Sequence, residues 1–187
     1  MSFPVFASGD VLNASDMNGV GLWKIADQTV SAATQFVFDN CFTSDYMMYR
    51  VTVSITTSTA TGLLLWQERV GGANANTSYT YSGTLNQMSA GSPIQTLIGE
   101  QNAAHGAVAD FDAASSSQGH AVFDIANPQT SPYTSITSQY SVAAGNTGIS
   151  GGQISSNHYV STIYDGMRLF VSSGNFTGTC RIYGYRN

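Results

Sequence analysis

Residues 49–56 alternate strictly between apolar and polar side chains, and this alternation limits the fold of the chain more than any other feature. Successive side chains of a β-strand point to opposite faces of the sheet, so a period of two predicts a strand with one buried face. The apolar set is Tyr49, Val51, Val53 and Ile55, and the polar set is Arg50, Thr52, Ser54 and Thr56. The region 46–56 is therefore predicted to be a half-buried strand.

Short segments rich in β-branched and aromatic residues recur along the rest of the chain, separated by turn residues. They lie at 35–38, 46–56, 63–70, 78–82, 94–98, 107–111, 120–125, 134–142, 166–172 and 178–185. Residues 145–152 have the Gly, Asn and Ser content of a loop. About ten strands at this spacing are typical of sandwiches and barrels. We therefore predict an all-β fold, with a single antiparallel β-sandwich of jelly-roll-like type over residues 26–187.

The chain is polar without being highly charged. Only 9% of its 187 residues are charged and the formal net charge is −5, whereas 74 residues are Ser, Thr, Asn or Gly. A hydrophobic content of 42% excludes an intrinsically disordered chain. The negative balance argues against a nucleic-acid partner and against docking on anionic lipid, because both need clustered Lys and Arg. We also expect no membrane insertion, since no apolar segment approaches the roughly 18 residues that span a bilayer.

The first 25 residues differ from the rest and predict an anchoring arm. Exposed apolar residues on an arm are a liability unless the arm docks on a partner. The residues assigned to anchoring are Phe3, Val5, Phe6, Val11, Leu12, Met17, Leu22 and Trp23. One helical turn is predicted after Asn13 or Ser15, either of which can serve as the N-cap. The segment lacks the basic and apolar regions of a signal peptide, so we expect synthesis in a cytoplasm.

Candidate catalytic and metal-binding residues are sparse. A Walker motif and a Gly-x-Gly-x-x-Gly motif are both absent from the sequence. A metal site could combine His105 and His120 with Asp110 or Asp112. The interpretation that we favour makes them surface residues of loops and strands. We expect no enzymatic activity, no metal and no cofactor.

The two cysteines, Cys41 and Cys180, are far apart in sequence and leave two alternatives open. They could form a disulfide, but the sequence cannot show that their Cα atoms are close enough. The interpretation that we favour is a pair of half-buried free thiols, which needs no particular redox compartment.

Tyrosines in polar stretches form a candidate recognition surface. A tyrosine ring offers a flat apolar face and a hydroxyl at low entropic cost, which suits both sugars and proteins. The candidates for ligand contact are Tyr79, Tyr81, Tyr133, Tyr140 and Tyr159, with Tyr164 in a similar setting. The alternative is that strand tyrosines pack in the core, and we favour it for Tyr49, Tyr183 and Tyr185.

Three segments resemble small virion proteins of tailed bacteriophages. Residues 3–18, FPVFASGDVLNASDMN, are similar to the N-terminal pattern F-x-x-G-(D/E)-x-L-(T/N)-A-(A/S)-(D/E)-(M/V)-N. Residues 42–51, FTSDYMMYRV, and 178–187, GTCRIYGYRN, resemble an internal strand and the terminal strand of the same proteins. The resemblance implies a structural, non-enzymatic protein of a phage particle that forms a homo-oligomer, most often a trimer. Its partners would be copies of itself and other head or tail proteins of the virion.

Three functional hypotheses follow. The first is a viral structural protein on the virion surface, anchored by residues 1–25, whose β-sandwich forms a tail fibre or knob and contacts host surface glycans during host attachment. The second is a capsid decoration protein that stabilises the head. The third is a hydrolase acting on host polysaccharide, for which Asp110, Asp112 and Asp124 are the candidate acids.

Overall fold

The structure is a computed structural model, and it describes residues 21–89, 92–111, 119–130, 133–144 and 148–186. Thirteen strands and no helix occur in these ranges. The strands are β1 Leu22–Ala33, β2 Gln35–Phe38, β3 Tyr46–Ser58, β4 Gly62–Val70, β5 Ala73–Asn74, β6 Tyr79–Ser89, β7 Ser92–Ala103, β8 Gly106–Phe111, β9 Gly119–Ala126, β10 Thr134–Ala144, β11 Gly148–His158, β12 Gly166–Val171 and β13 Phe176–Arg186. Consequently, no helix in the described part of the chain could cross a membrane. The predicted helical turn after Asn13 or Ser15 lies outside the described residues.

The strands form two antiparallel sheets. The larger has eight strands in the order β1-β13-β3-β9-β10-β11-β6-β7, and the smaller has the order β2-β12-β4-β5 with β8 also paired to β4. Aromatic contacts join the two sheets, as where the rings of Phe36 on β2 and Phe176 on β13 lie 4.9 Å apart. The predicted all-β fold with a sandwich-like arrangement of two sheets is confirmed.

The alternation of residues 49–56 places the inner face of β3 in the core. Tyr49, Val51 and Val53 are at most 1% exposed. β3 pairs with β13 so that Val51 lies opposite Ile182 and Val53 opposite Cys180, and all four side chains are buried. Apolar side chains on one face of neighbouring strands therefore build a continuous core, with polar side chains on the other face.

β4 is the exception to this alternation because both of its faces are buried. Trp66 and Glu68 point into the core, whereas Gln67 is buried on the opposite face, where its amide donates to the carbonyl of Ala104. A strand buried on both faces lacks a clear period of two, as its sequence LLLWQER shows.

The structure extends the predicted set of strands at two places. Residues 22–25, assigned to the arm from sequence, form the start of β1, and Leu22 lies opposite Tyr185 of β13. The predicted loop at 145–152 was wrong from residue 148 onward, because Gly148–His158 is a strand paired with both β10 and β6. The glycines at 151 and 152 mark a close approach of strands: a Cβ on Gly152 would lie 1.8 Å from the backbone oxygen of Thr84.

Candidate functional site

One end of the sandwich gathers the start or finish of every strand in the large sheet. β1, β3, β10 and β6 begin there, and β13, β9, β11 and β7 end there. Residue 21 leads into β1 at this end, which we call the proximal end. At the opposite end, called the distal end, β6 ends at Ser89 and β7 begins at Ser92. Residues 1–20, which lie outside the described residues, precede β1 in the chain.

Exposed apolar side chains are concentrated at the proximal end. Eleven large hydrophobic side chains are exposed among the described residues. Eight of them belong to the proximal end and its loops: Leu22, Trp23, Met47, Met48, Val70, Tyr133, Tyr159 and Ile163. The other three lie on the β6–β7 hairpin: Met88, Ile94 and Leu97. A clustered apolar surface of this kind marks a site of interaction, whereas scattered exposed residues would not.

Strand register explains why several of these residues are neighbours. Leu22 lies opposite Tyr185, Tyr185 opposite Met48, and Met48 opposite Ala126, so the four form one row across β1, β13, β3 and β9. Directly opposite residues share one face of an antiparallel sheet. The row therefore presents a mostly apolar strip on the outer face of the large sheet.

A charged group borders this strip. Arg50 donates from Nε and Nη2 to the two carboxylate oxygens of Asp124 at 2.9 and 2.8 Å, and the Tyr185 hydroxyl donates to Oδ1 of Asp124 at 3.0 Å. Hydrogen bonding from the Arg50 guanidinium lowers the pKa of Asp124, and the Tyr185 hydroxyl adds to this effect. Two parallel hydrogen bonds fix the position of both side chains beside the strip.

Tyr133 and Tyr159 form an exposed aromatic pair beyond the ends of β10 and β11. Their ring centroids are 5.2 Å apart in an edge-to-face arrangement, and each side chain is 49% exposed. The backbone N–H of Tyr159 donates to the carbonyl of Ser78 at 3.0 Å, which ties this loop to the segment before β6. Of the five candidate ligand-contact tyrosines, these two keep an accessible ring.

The other three candidate tyrosines are buried, so their rings are not available to a surface ligand. Tyr79, Tyr81 and Tyr140 are 0%, 8% and 6% exposed, and Tyr164 is also buried. The hydroxyl of Tyr79 accepts from the backbone N–H of Glu68 at 2.9 Å and donates to the carbonyl of Ala75 at 3.3 Å. The interpretation of these side chains as ligand contacts was wrong because β6 and β10 turn them to the inner face of the sheet. Tyr49 is in the core as predicted, whereas Tyr183 and Tyr185 lie on the outer face and are half-buried.

A buried polar cluster lies under the proximal end, and sequence reasoning missed it. Nδ1 of His158 is 2.5 Å from Oε2 of Glu68, and Nε2 of His158 is 3.0 Å from the carbonyl oxygen of Thr77. The imidazole stacks on Tyr79 with ring centroids 4.1 Å apart. Burial raises the pKa of Glu68, and the contact with His158 opposes that effect. Because both side chains are at most 1% exposed, the cluster supports the fold and cannot reach a substrate.

Arg69 secures a proximal loop from the other face of β4. Its Nε donates to Oδ1 of Asp39 at 2.7 Å, and its Nη2 donates to the carbonyl of Gly72 at 2.6 Å. Gly71 and Gly72 have φ of 56° and 80°, which agrees with the positive φ expected of glycines in this turn. These contacts hold the turn that follows the exposed Val70.

The two histidines of the predicted metal site do not lie together. His105 contacts the Phe170 ring on the outer side of the small sheet, whereas His120 is exposed on the outer side of the large sheet. The sandwich separates the two imidazoles, so they cannot share an ion. No group of three or more potential ligands occurs among the described residues, which do not include Asp112.

One sequence motif that is typical of hydrolases was overlooked in the sequence analysis. Residues 148–152, GISGG, match the Gly-x-Ser-x-Gly pattern of a nucleophile elbow, whose serine is exposed on a turn between a strand and a helix. Ser150 instead lies within β11, opposite Val142 and Gln87, and is 3% exposed. The spacing therefore reflects the close packing of β11 and not an elbow.

Cys41 and Cys180 are free thiols and both are buried. Burial raises the pKa of Cys41 to about 12 and raises that of Cys180 as well. Neither thiol is therefore a nucleophile at neutral pH.

The remaining arm residues assigned to anchoring, Phe3, Val5, Phe6, Val11, Leu12 and Met17, lie outside the described residues. Leu22 and Trp23 are 43% and 36% exposed at the start of β1. No model of a known protein family and no curated protein sequence matches the chain. The function is therefore inferred from the surface described above.

Proposed function

We propose that the protein is a non-enzymatic structural component of a tailed-phage virion, anchored by residues 1–25 with the β-sandwich exposed as a fibre or knob. The observation that carries this proposal is the position of the exposed apolar side chains. Most of them lie at the proximal end, where the apolar arm joins the domain. An arm and a domain surface that share one side can bury their apolar area in a single contact.

The energetics favour such a contact. Full burial of one Leu, Met or Phe side chain is worth about 1.5–3 kcal/mol. Leu22, Met47 and Met48 are each 42–51% exposed, so a partner that covers them gains part of that energy at each position. The proximal end therefore faces the particle, and the distal end faces outward.

Away from the apolar strip at the proximal end, the outer face of the large sheet has a different chemistry. Thr52, Ser54, Thr137 and Ser155 are on this face, and Thr29 and Thr179 are joined there by a hydroxyl contact of 3.0 Å. Small uncharged polar side chains keep a surface hydrated without adding charge. This face suits a domain that projects into solvent from the particle.

Contact with host surface glycans is a second and more specific part of the proposal. It is now limited to Tyr133 and Tyr159, because the other candidate rings are buried. Both lie at the proximal end, so a glycan that binds them must approach the side of the domain nearest the particle. A capsid decoration protein is the competing role, since it too would bury an apolar end on the particle.

A pair of matched substitutions tests the orientation of the domain. Met48 and Met88 are 42% and 45% exposed, at the proximal and the distal end respectively. We expect Met48→Ser to lower incorporation into purified particles and Met88→Ser to leave it unchanged, as measured by quantitative mass spectrometry. Equal incorporation of both variants would contradict a proximal attachment surface.

The same particles separate the two structural roles. Copy number with antibody-labelled electron microscopy distinguishes tens of copies at the tail, which indicate a fibre or knob, from hundreds over the head, which indicate decoration. Release of oligosaccharide from host surface glycan by the purified protein would instead support the hydrolase hypothesis.

A further inference from the structure

The two edges of the eight-stranded sheet differ in how open they are to a further strand. β1 forms one edge and β7 the other, and each has 12 residues. An edge strand exposes unpaired N–H and C=O groups, and proteins block unwanted pairing with bulges, charges or covering segments. The comparison of β1 with β7 therefore shows which edge is protected.

β1 carries several of these protections. Its register with β13 is broken between Lys24 and Ala26 and again between Val30 and Ala33. Lys24 and Asp27 add opposite charges that pair at 3.0 Å. The Gln28 side chain also accepts from the backbone N–H of Val37 at 3.0 Å, which ties the β1 edge to β2.

β7 has almost none of these protections against edge pairing. Its register with β6 is uninterrupted from Thr80 opposite Gln101 to Ser89 opposite Ser92. Glu100 is its single charged residue, and Pro93 is its second residue, at the distal end. In the described part of the chain, β7 pairs with β6 alone and its second edge is open. A regular, nearly uncharged edge is a template for strand pairing.

Exposed apolar side chains project from both faces of β7. Leu97 is 79% exposed and lies opposite Thr84 on the outer face, and Ile94 is 46% exposed and lies opposite Gln87 on the inner face. Leu97 is the most exposed large hydrophobic side chain among the described residues. A strand added to this edge would cover side chains on both faces as well as the backbone groups.

We propose that β7 pairs antiparallel with β7 of a second copy of this chain, about a two-fold axis at Leu97. Under this symmetry the two Leu97 side chains lie directly opposite each other on the outer face, and Thr96 lies opposite Ile98 of the other copy. Glu100 then lies opposite Ile94, so the like charges are kept apart. Two eight-stranded sheets join into one continuous sheet.

The charge of Glu100 and the exposure of Leu97 together favour this register. A two-fold axis at Glu100 would place two carboxylates opposite each other, which destabilises a strand pair. An axis at Leu97 instead pairs the most exposed apolar side chain with itself. The proposal concerns contact between copies and does not depend on attachment to a virion.

Cysteine cross-linking of the full chain tests the register. Directly opposite Cα atoms in an antiparallel pair are about 4.5–5.5 Å apart, which is within the range of a disulfide. Leu97→Cys should give a covalent dimer on mild oxidation. Gln95→Cys is the matched control on the same face, because its two copies would be about 14 Å apart along the strand. The native thiols are buried and add no background.

A charge substitution tests the association itself. Leu97→Lys should weaken association about tenfold or more in sedimentation at micromolar concentration, since it places two ammonium groups opposite each other. Thr137→Lys adds the same charge to the outer face of the central strand β10 and should leave association unchanged. Circular dichroism checks that both variants keep the fold.

The outcomes decide the proposal in either direction. Preferential cross-linking of Leu97→Cys, with association weakened by Leu97→Lys alone, supports the two-fold edge pair. No cross-link at Leu97, equal cross-linking at Gln95, or equal association of the two lysine variants overturns it. Neither cross-linking nor sedimentation measures attachment to particles. A negative result in these two experiments would therefore overturn the edge pairing without contradicting the proposed function.

Discussion

His158 and Glu68 form a contact of 2.5 Å in the core, although the residues are 90 positions apart in sequence. Both side chains are at most 1% exposed, and Oε1 of Glu68 has no hydrogen-bond partner among the described residues. The contact links β11 of the large sheet to β4 of the small one. A buried carboxyl group with one free oxygen makes the stability of the sandwich depend on protonation.

The first prediction concerns pH. Burial raises the pKa of Glu68 above its ordinary value of 4.5, since the carboxylate is disfavoured in the core. A raised pKa in the folded state contributes stability that is fully present below the unfolded pKa and is lost as pH rises through the folded pKa. We expect the free energy of unfolding of the wild type to decline as pH rises from the unfolded to the folded pKa of Glu68. The free energy of unfolding of Glu68→Gln should decline less over the same range.

Urea denaturation from about pH 4 to about pH 8 measures both curves. The difference between the wild type and Glu68→Gln reports the carboxyl group together with its contact to His158, because the other titrating groups are common to the two proteins. Parallel curves would show that Glu68 does not titrate differently in the folded and unfolded states.

The second prediction concerns the pair itself. Removing one partner of a buried hydrogen bond leaves the other partner unsatisfied and typically costs about 1–3 kcal/mol, whereas an apolar replacement of both is often nearly neutral. We expect His158→Ala to fall in that range, and the double variant Glu68→Leu/His158→Phe to recover much of the loss. Urea unfolding of the wild type, the single variant and the double variant measures this. A double variant no more stable than His158→Ala would mean that packing, not the unpaired carboxyl group, sets the cost.

Local patterns in the sequence were enough to predict the strands with alternating side chains. The features that the sequence did not predict depend on contacts between residues that are far apart in the chain. The alternation at 49–56 indicated the buried face of β3 correctly, since that face depends on neighbouring residues alone. The direction of Tyr79 and Tyr140 depends on which face of β6 and β10 meets the small sheet. Nothing local to either tyrosine carries that information.

The surface at the proximal end also combines residues that the local sequence predicted with residues that only the fold brings there. Leu22 and Trp23 were singled out from sequence as anchoring residues of the arm, and they are exposed at the start of β1. Met47 and Met48 join them only because β3 lies next to β13 in the large sheet. The Glu68–His158 pair could not be predicted from the sequence, because the fold brings together two residues that are 90 positions apart. Glu68, a charged residue inside the run LLLWQER, was the local signal that a buried partner must exist.

The third prediction concerns the glycines of β11. A Cβ on Gly152 would lie 1.8 Å from the backbone oxygen of Thr84, so β6 and β11 would have to separate. Overpacking of this kind typically costs about 1–3 kcal/mol, and a backbone contact places Gly152→Ala at the upper end of that range or above it. Gly119→Ala is the matched control, because its Cβ would make an ordinary contact of 3.5 Å with Val142. Thermal unfolding of both variants measures the difference, and equal loss of stability would contradict the close approach of the two strands.

The last prediction separates the arm from the domain. Deletion of residues 1–21 leaves Leu22 and its pairing with Tyr185 intact, so we expect the truncated chain to keep the circular dichroism spectrum of a β protein. The proposed anchor is gone, so incorporation into particles should be lost. A full-length variant with Phe3, Phe6 and Leu12 changed to Ser keeps the length of the arm but removes much of its apolar surface. Mass spectrometry of purified particles should show loss of this variant as well, because burial of apolar area drives the attachment. Incorporation of the truncated chain at the wild-type level would place the attachment surface elsewhere on the β-sandwich.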